Sequence, residues 1–197
     1  MGKVYTIVNQ KGGVGKTTTS INLGAYLGLF QQRVLLVDID PQANATSCLG
    51  VDKNAVRNGI YEALIGEQPV SDHILHNSRF HLSLLPSSPN LAGAEIELID
   101  LPERETRLRK LIEPLRSRYD YILIDCPPSL GLLTLNGLTA AFDGVIIPVQ
   151  CEYLALEGLG QLTHTLGRVR QSLFPTLDIK GVVLTMFDGR TNISGDV

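Results

Sequence analysis

One stretch near the start of the chain restricts the fold more than any other. Lys3–Val8 reads as a short β-branched strand, the run Gln10-Lys11-Gly12-Gly13-Val14-Gly15-Lys16-Thr17-Thr18 follows it, and a helical pattern opens at about Lys16. Strand, glycine loop, Lys-Thr and helix in that order make a phosphate cradle. The glycines let successive backbone N–H groups turn toward an anion with no Cβ in the way. The helix N-terminus adds its partial positive charge. In such a loop the Lys16 ammonium reaches the β- and γ-phosphates and the Thr17 hydroxyl ligates Mg²⁺. The expected nucleotide contacts are Lys11, Gly12, Gly13, Val14, Gly15, Lys16, Thr17 and Thr18.

The loop departs from the ordinary P-loop in two places. The glycine expected five residues before the last one is replaced by Gln10, and an additional lysine stands at Lys11. A dinucleotide-binding fingerprint is excluded. Gly13-Val14-Gly15 supplies its first half, but Thr18 occupies the place of the third glycine.

Short apolar strands alternate with helical stretches along the rest of the chain, the pattern of a parallel sheet with crossover helices. Strands are expected at Lys3–Val8, Arg33–Asp38, His81–Leu85, Tyr121–Asp125, Val145–Val149 and Lys180–Thr185. Several are apolar throughout, as strands covered on both faces are. Helices are expected at Lys16–Phe30, Gly59–Ile65, Glu103–Arg118, Gly131–Ala141 and Leu156–Leu173. Gly24 and Gly28, four apart on the first helix, suit close approach to the sheet, and Pro114 should break the third. Leu85–Leu101 starts as a loop and turns helical near Ala92. Residues 1–197 therefore form one α/β domain: a doubly wound, mostly parallel sheet with helices on both faces. Phe187–Asn192 reads as a loop leading into another helix, and the chain stops at Val197 before one could form, so the domain is expected to lack its C-terminal elements.

Acidic residues end two of the strands. Asp38 and Asp40 lie in Val37-Asp38-Ile39-Asp40-Pro41-Gln42, and Asp125 closes Tyr121-Ile122-Leu123-Ile124-Asp125, the Walker B form. Ligands of a doubly wound sheet collect beyond the carboxyl ends of its strands, on the side of the phosphate loop. Phosphoryl transfer to water needs a group that orients the nucleophile and metal-held charge neutralisation. The metal set is expected to be Thr17, Asp38 and Asp125, the last through a coordinated water.

Lys11-Gly12-Gly13-Val14-Gly15-Lys16-Thr17-Thr18 resembles the deviant Walker A ATPases, which include the ParA/Soj partition ATPases, MinD and the nitrogenase iron protein. Asp38-Ile39-Asp40-Pro41-Gln42 and Ile124-Asp125-Cys126-Pro127-Pro128-Ser129 are similar to that family's switch segments. Gln150–Leu159 and Met186–Asn192 narrow the resemblance, which covers nearly the whole chain, to ParA/Soj. It implies an ATP hydrolase with ATP and Mg²⁺ as cofactors and Lys11, Lys16 and Asp40 in catalysis. Asp40 would position the attacking water, and Lys11 would reach the partner's phosphates across an ATP-dependent sandwich homodimer. It further implies chromosome or plasmid partitioning, with non-specific DNA and a centromere-binding ParB-like protein as partners and a cytoplasmic, nucleoid-associated location. A MinD-like membrane-associated cell-division ATPase is the alternative, and an iron–sulfur reductase a more distant one.

Composition adds limits. The net charge of −3 gives no global basic field, and Cys48, Cys126 and Cys151 lack the spacing of a disulfide framework or zinc site. No run approaches the ~18 apolar residues of a membrane span, and no membrane partner is expected. The basic run Arg104, Arg107, Arg109, Lys110, Arg116 and Arg118 reads as a solvated helix face more readily than as a DNA contact; Arg168 and Arg170 remain candidates for DNA.

Overall fold

The computed structural model describes residues 1–66, 69–152 and 155–188. In chain order the regular elements are β1 (Lys3–Ile7), α1 (Lys16–Leu29), β2 (Val34–Asp38), α2 (Asn44–Cys48), α3 (Ile60–Ile65), β3 (Leu75–Asn77) and β4 (Leu82–Leu85). They continue with α4 (Leu91–Glu97), α5 (Arg107–Ile112), β5 (Tyr121–Asp125), α6 (Leu132–Thr139), β6 (Val145–Gln150), α7 (Ala155–Ser172) and β7 (Ile179–Thr185).

The strands form one sheet in the order β3-β4-β2-β5-β1-β6-β7. Every neighbouring pair is parallel except the β3–β4 edge. From β1 the chain first winds to one side, through β2 and β4, and then returns through β5 to β6 and β7 on the other. This reversal leaves a crevice beyond the carboxyl ends of β1 and β5. Ile7 of β1 and Asp38 of β2 are both in register with Asp125 of β5.

Alternation along the central strands divides the core in two. Leu35, Val37, Ile122 and Ile124 face one layer, built with Leu64, Leu91, Leu108, Leu138, Leu162 and Leu166 from α3 to α7. Val34, Leu36 and Leu123 face the other, which α1 covers with Ile21, Leu23 and Leu27. Each fully buried Leu or Ile stabilises the fold by roughly 1.5–3 kcal/mol. Gly24 lets α1 lie directly on the sheet, since a Cβ there would stand 3.3 Å from Leu82 and 3.6 Å from Leu123.

The expected doubly wound α/β architecture is the observed one, and differences fall at short or polar segments. The expected helix Glu103–Arg118 is α-helical only over Arg107–Ile112; Pro114 then opens a 3-10 stretch, Glu113–Ser117. Arg104, Lys110 and Arg118 of the basic run are exposed, as the solvated-face reading expects, while Arg107, Arg109 and Arg116 depart from it. Arg109 stacks over Phe142 and Phe174, at 3.9 and 4.4 Å from the ring centroids, and donates to the Thr139 carbonyl at 2.8 Å. Arg107 donates to the Leu64 carbonyl, and Arg116 stacks over Phe142 and pairs with Asp143. These guanidinium groups pin elements together. Met186 ends the described apolar edge with a positive φ of 53°, while Gly189 to Asn192 of the expected final loop lie outside the described residues.

Candidate active site

The loop between β1 and α1 takes the shape its glycines permit. Gly13 and Gly15 have φ of 77° and 88°, a region that side-chain-bearing residues adopt with strain. Gly15 caps α1 in this left-handed conformation, and no atom lies within 4 Å of where a Cβ would stand on Gly12 or Gly13. Backbone N–H groups can therefore line an open concavity at the helix start. The concavity belongs to a cleft of about 310 Å³ lined by Gly12, Gly13, Gly15, Lys16, Thr17 and Thr18, with Asp40, Gln42, Asn44, Pro128 and Met186 facing them.

Lys16 is 7% exposed. Its ammonium donates to the Lys11 carbonyl at 3.0 Å, which folds the side chain back over the loop. Burial lowers its pKa, opposed by the nearby carboxylates of Asp125 and Asp40. Thr17 Oγ1 donates to Asp125 Oδ2 at 2.7 Å, and Ser20 Oγ, on the next turn of α1, donates to Asp125 Oδ1 at 2.8 Å. Burial raises Asp125 to about 6 against those two hydrogen bonds.

Asp40 sits on the loop after β2, is 5% exposed and lines the cleft. Its Oδ1 accepts from the Gln42 N–H at 2.9 Å, and its carbonyl accepts from Ser87 Oγ at 2.8 Å. Asp38 lies one layer behind. It is fully buried, its Oδ2 accepts from Thr46 Oγ1 at 2.7 Å and Thr46 N–H at 2.9 Å, and its Oδ1 accepts from the Asp40 N–H at 3.2 Å. Burial, then repulsion from Asp125, raises its pKa to about 7. The structure thus gathers Lys16, Thr17 and Asp40 around one cleft, with Asp125 buried directly behind Thr17. Asp38, expected among the metal ligands, shapes the loop that carries Asp40.

Lys11 stands apart from Lys16 despite their closeness in sequence. Its backbone N–H donates to Asn9 Oδ1 at 3.0 Å, and its ammonium forms an ion pair with Glu152 after β6. Val14 is buried, and its carbonyl accepts from Thr185 Oγ1 at 2.8 Å, so the end of β7 braces the loop. Ser20, Thr46, Glu152 and Thr185 were not expected from the sequence. Ser20 had a signal, since it lies three residues after Thr17 on the same helical face; the other three touch the site only through the fold.

The oxygen donors here, a hydroxyl and carboxylates, suit a hard cation such as Mg²⁺. Among the described residues no group of three or more His, Cys, Asp or Glu side chains could hold a metal. Cys126 and Cys151 are buried, with burial raising the Cys126 thiol, and neither offers an exposed ligand for an iron–sulfur cluster.

A family model described as an AAA domain matches residues 2–179. The chromosome partitioning protein ParA of Myxococcus xanthus is 54% identical over all of this chain and 69% of its own length. The sporulation initiation inhibitor protein Soj of Bacillus subtilis is 56% identical over 98% of this chain and 76% of its own. Among solved structures, a cobyrinic acid a,c-diamide synthase from Mycobacterium smegmatis with bound ATP analog and magnesium superposes with a TM-score of 0.95. It is 43% identical and covers all of this chain and 80% of that one. Sequence, sheet order and a cleft lined by Lys16, Thr17 and Asp40 agree, and the chain belongs to the ParA/Soj family of partition ATPases.

Proposed function

We propose that the chain is an ATP-driven switch for chromosome or plasmid partitioning, forming a sandwich homodimer on ATP and releasing it on hydrolysis. One observation carries the reading: a phosphate cradle, a buried lysine and Asp40 line one cleft, with Asp125 behind it on Thr17, beside a second lysine that the cleft does not use. Lys16 neutralises charge on the β- and γ-phosphates, and the loop N–H groups fix the phosphate chain. Thr17 and, through water, Asp125 would hold Mg²⁺, which would supply charge neutralisation at the phosphates. Asp40 orients the attacking water and accepts its proton. Asp38 holds the Asp40 loop in place through Thr46. Lys11 of each subunit reaches the nucleotide of the other, so the γ-phosphate provides contacts that exist only in the dimer.

In this reading the dimer binds DNA without sequence preference, and a ParB-like centromere-binding protein stimulates hydrolysis, in the cytoplasm at the nucleoid. The relatives' names support the partition role. No helix among the described residues is long and apolar enough to cross a membrane. Arg107, Arg109 and Arg116 are committed to internal partners, and Arg168 on the exposed side of α7 is a basic candidate for DNA.

Gel filtration with ATP–Mg²⁺ against ADP, with and without non-specific DNA and with anionic lipid vesicles in parallel, tests the proposal. A dimer with ATP only, and DNA binding that falls steeply with salt, is the expected result. A monomer under all conditions, or nucleotide-dependent binding to vesicles and not DNA, would overturn it.

A further inference from the structure

We propose that Glu152 is a positioning residue for Lys11, holding its ammonium within its own subunit until a second ATP-bound copy competes for it. This rests on the reading of Lys11 as the residue that reaches the partner's phosphates. The loop differs from an ordinary P-loop at residues 10 and 11; the Gln10 side chain meets α7, and that of Lys11 meets the segment just after β6. Gln10 Nε2 donates to Gln161 Oε1 at 2.8 Å, and the Lys11 ammonium pairs with Glu152. Asn9, just before them, donates from Nδ2 to the Pro148 carbonyl of β6 at 2.8 Å.

The segment that presents Glu152 is itself fixed to the sheet. The Cys151 N–H donates to the Thr185 carbonyl at 3.1 Å, and the Thr185 hydroxyl donates to Val14 in the phosphate loop at 2.8 Å. Glu152 therefore stands at a set distance from the loop. A lysine ammonium is a compact point charge that cannot serve two distant anions at once. While Lys11 sits on Glu152, it is withheld from any other subunit. Both side chains are about one-third exposed, 33% and 38%, and an ion pair of that kind is weak and screened by salt. A triphosphate, with several charges in a desolvated interface, outcompetes it. The pair is thus a light latch that raises the threshold for dimerisation and keeps Lys11 ordered in the single subunit.

The test uses Glu152→Gln and the charge-retaining Glu152→Asp. Dimer dissociation constants are measured in ATP–Mg²⁺ by sedimentation, and ADP affinity is measured on the monomer. If one exposed pair restrains each subunit by about two- to fivefold, the two latches of a dimer multiply. Glu152→Gln should tighten the dimer by about four- to twenty-fivefold. The gap from wild type should close as ionic strength rises from about 0.05 to about 0.5 M, Glu152→Asp should stay near wild type, and ADP affinity should not move. Glu152→Gln dimerising like wild type would overturn the latch. So would loss of the dimer, which would place Glu152 in the intersubunit contact. Failure of the underlying reading looks different: Lys11→Ala would then dimerise like wild type, and the proposal would fall with it.

Discussion

The two ends of the sheet contain clefts of similar size and opposite character. At the amino ends of the strands, spaces of about 340 and 370 Å³ are bordered by Arg33, Arg116, Arg118, Tyr119 and Asp120. The nucleotide cleft at the carboxyl ends measures about 310 Å³. Volume therefore does not separate a functional opening from an incidental one. Charge does. At the amino end Asp143 is met by Lys3 at 3.0 Å, Arg116 at 3.4 Å and the Val4 N–H at 3.0 Å, and Asp120 is held by Arg33 at 2.8 Å. At the carboxyl end three carboxylates, Asp38, Asp40 and Asp125, are buried beside one buried lysine. Three glycines show a related contrast. A Cβ on Gly2 would stand 2.0 Å from the Tyr119 carbonyl oxygen and one on Gly28 2.5 Å from that of His81, whereas one on Gly12 would meet nothing within 4 Å. Gly2 and Gly28 bring backbones together, and Gly12 leaves room.

Substitutions at both ends can break this contrast. The largest effect is expected for Lys16→Ala, which should lower ATP affinity by at least about a hundredfold, the loss that removing a charge-assisted phosphate contact of roughly 3 kcal/mol brings. Isothermal titration showing tight binding would end the cradle assignment. Asp40→Ala should bind ATP near normally while turnover drops about 10²-fold or more, the range for a lost general base; single-turnover phosphate release measures it. Gly12→Ala and Gly28→Ala form a crossed pair. The first should weaken nucleotide binding with an unchanged Tm, and the second should destabilise the fold by about 1–3 kcal/mol with nucleotide affinity retained. Reversal of either pattern would dissolve the distinction between the two kinds of glycine.

The smallest effect belongs to Asp143→Asn, about 1 kcal/mol or less, with no change in ATP binding. Burial alone would raise Asp143, but the Val4 N–H, Lys3 and Arg116 outweigh it and hold its pKa below the ordinary carboxylate value. Its contribution is thus fully present above that ordinary value and is lost as pH falls through the lower folded one. The Tm difference from wild type should be constant near neutrality and vanish in acid.

The carboxyl end was far more legible in the sequence than the amino end. Gly12 to Thr18 and Asp125 announce themselves because a phosphate constrains backbone conformation and residue type within a few consecutive positions. The parallel strands were legible for a related reason: apolar runs such as Tyr121–Asp125 have to be covered on both faces. β3 left no such mark, since Leu75-His76-Asn77 is short, polar and defined only by its antiparallel partner Leu82–Leu84. The arginines of α5 misled for the converse reason. A guanidinium looks solvent-seeking in a sequence, and only the placement of Phe142 and Phe174, 33 and 65 residues after Arg109, shows it stacked between rings. Thr46 and Glu152 were hidden for the same reason, each meeting its partner across a stretch of chain that no local pattern encodes.

The pairing of Asp38 with Asp125, and of Ile7 with Asp125, acts as a ruler for the chemistry. Slipping β5 by one residue would turn its side chains to the opposite face and carry Asp125 away from Thr17 and Ser20. The spacing between Asp125, the phosphate loop and the Asp40 loop is therefore written in ladder hydrogen bonds at the centre of the molecule. Connections on the periphery can lengthen or shorten without altering it. A protein measured this way can vary its outer surface while the geometry of its phosphate cleft stays fixed.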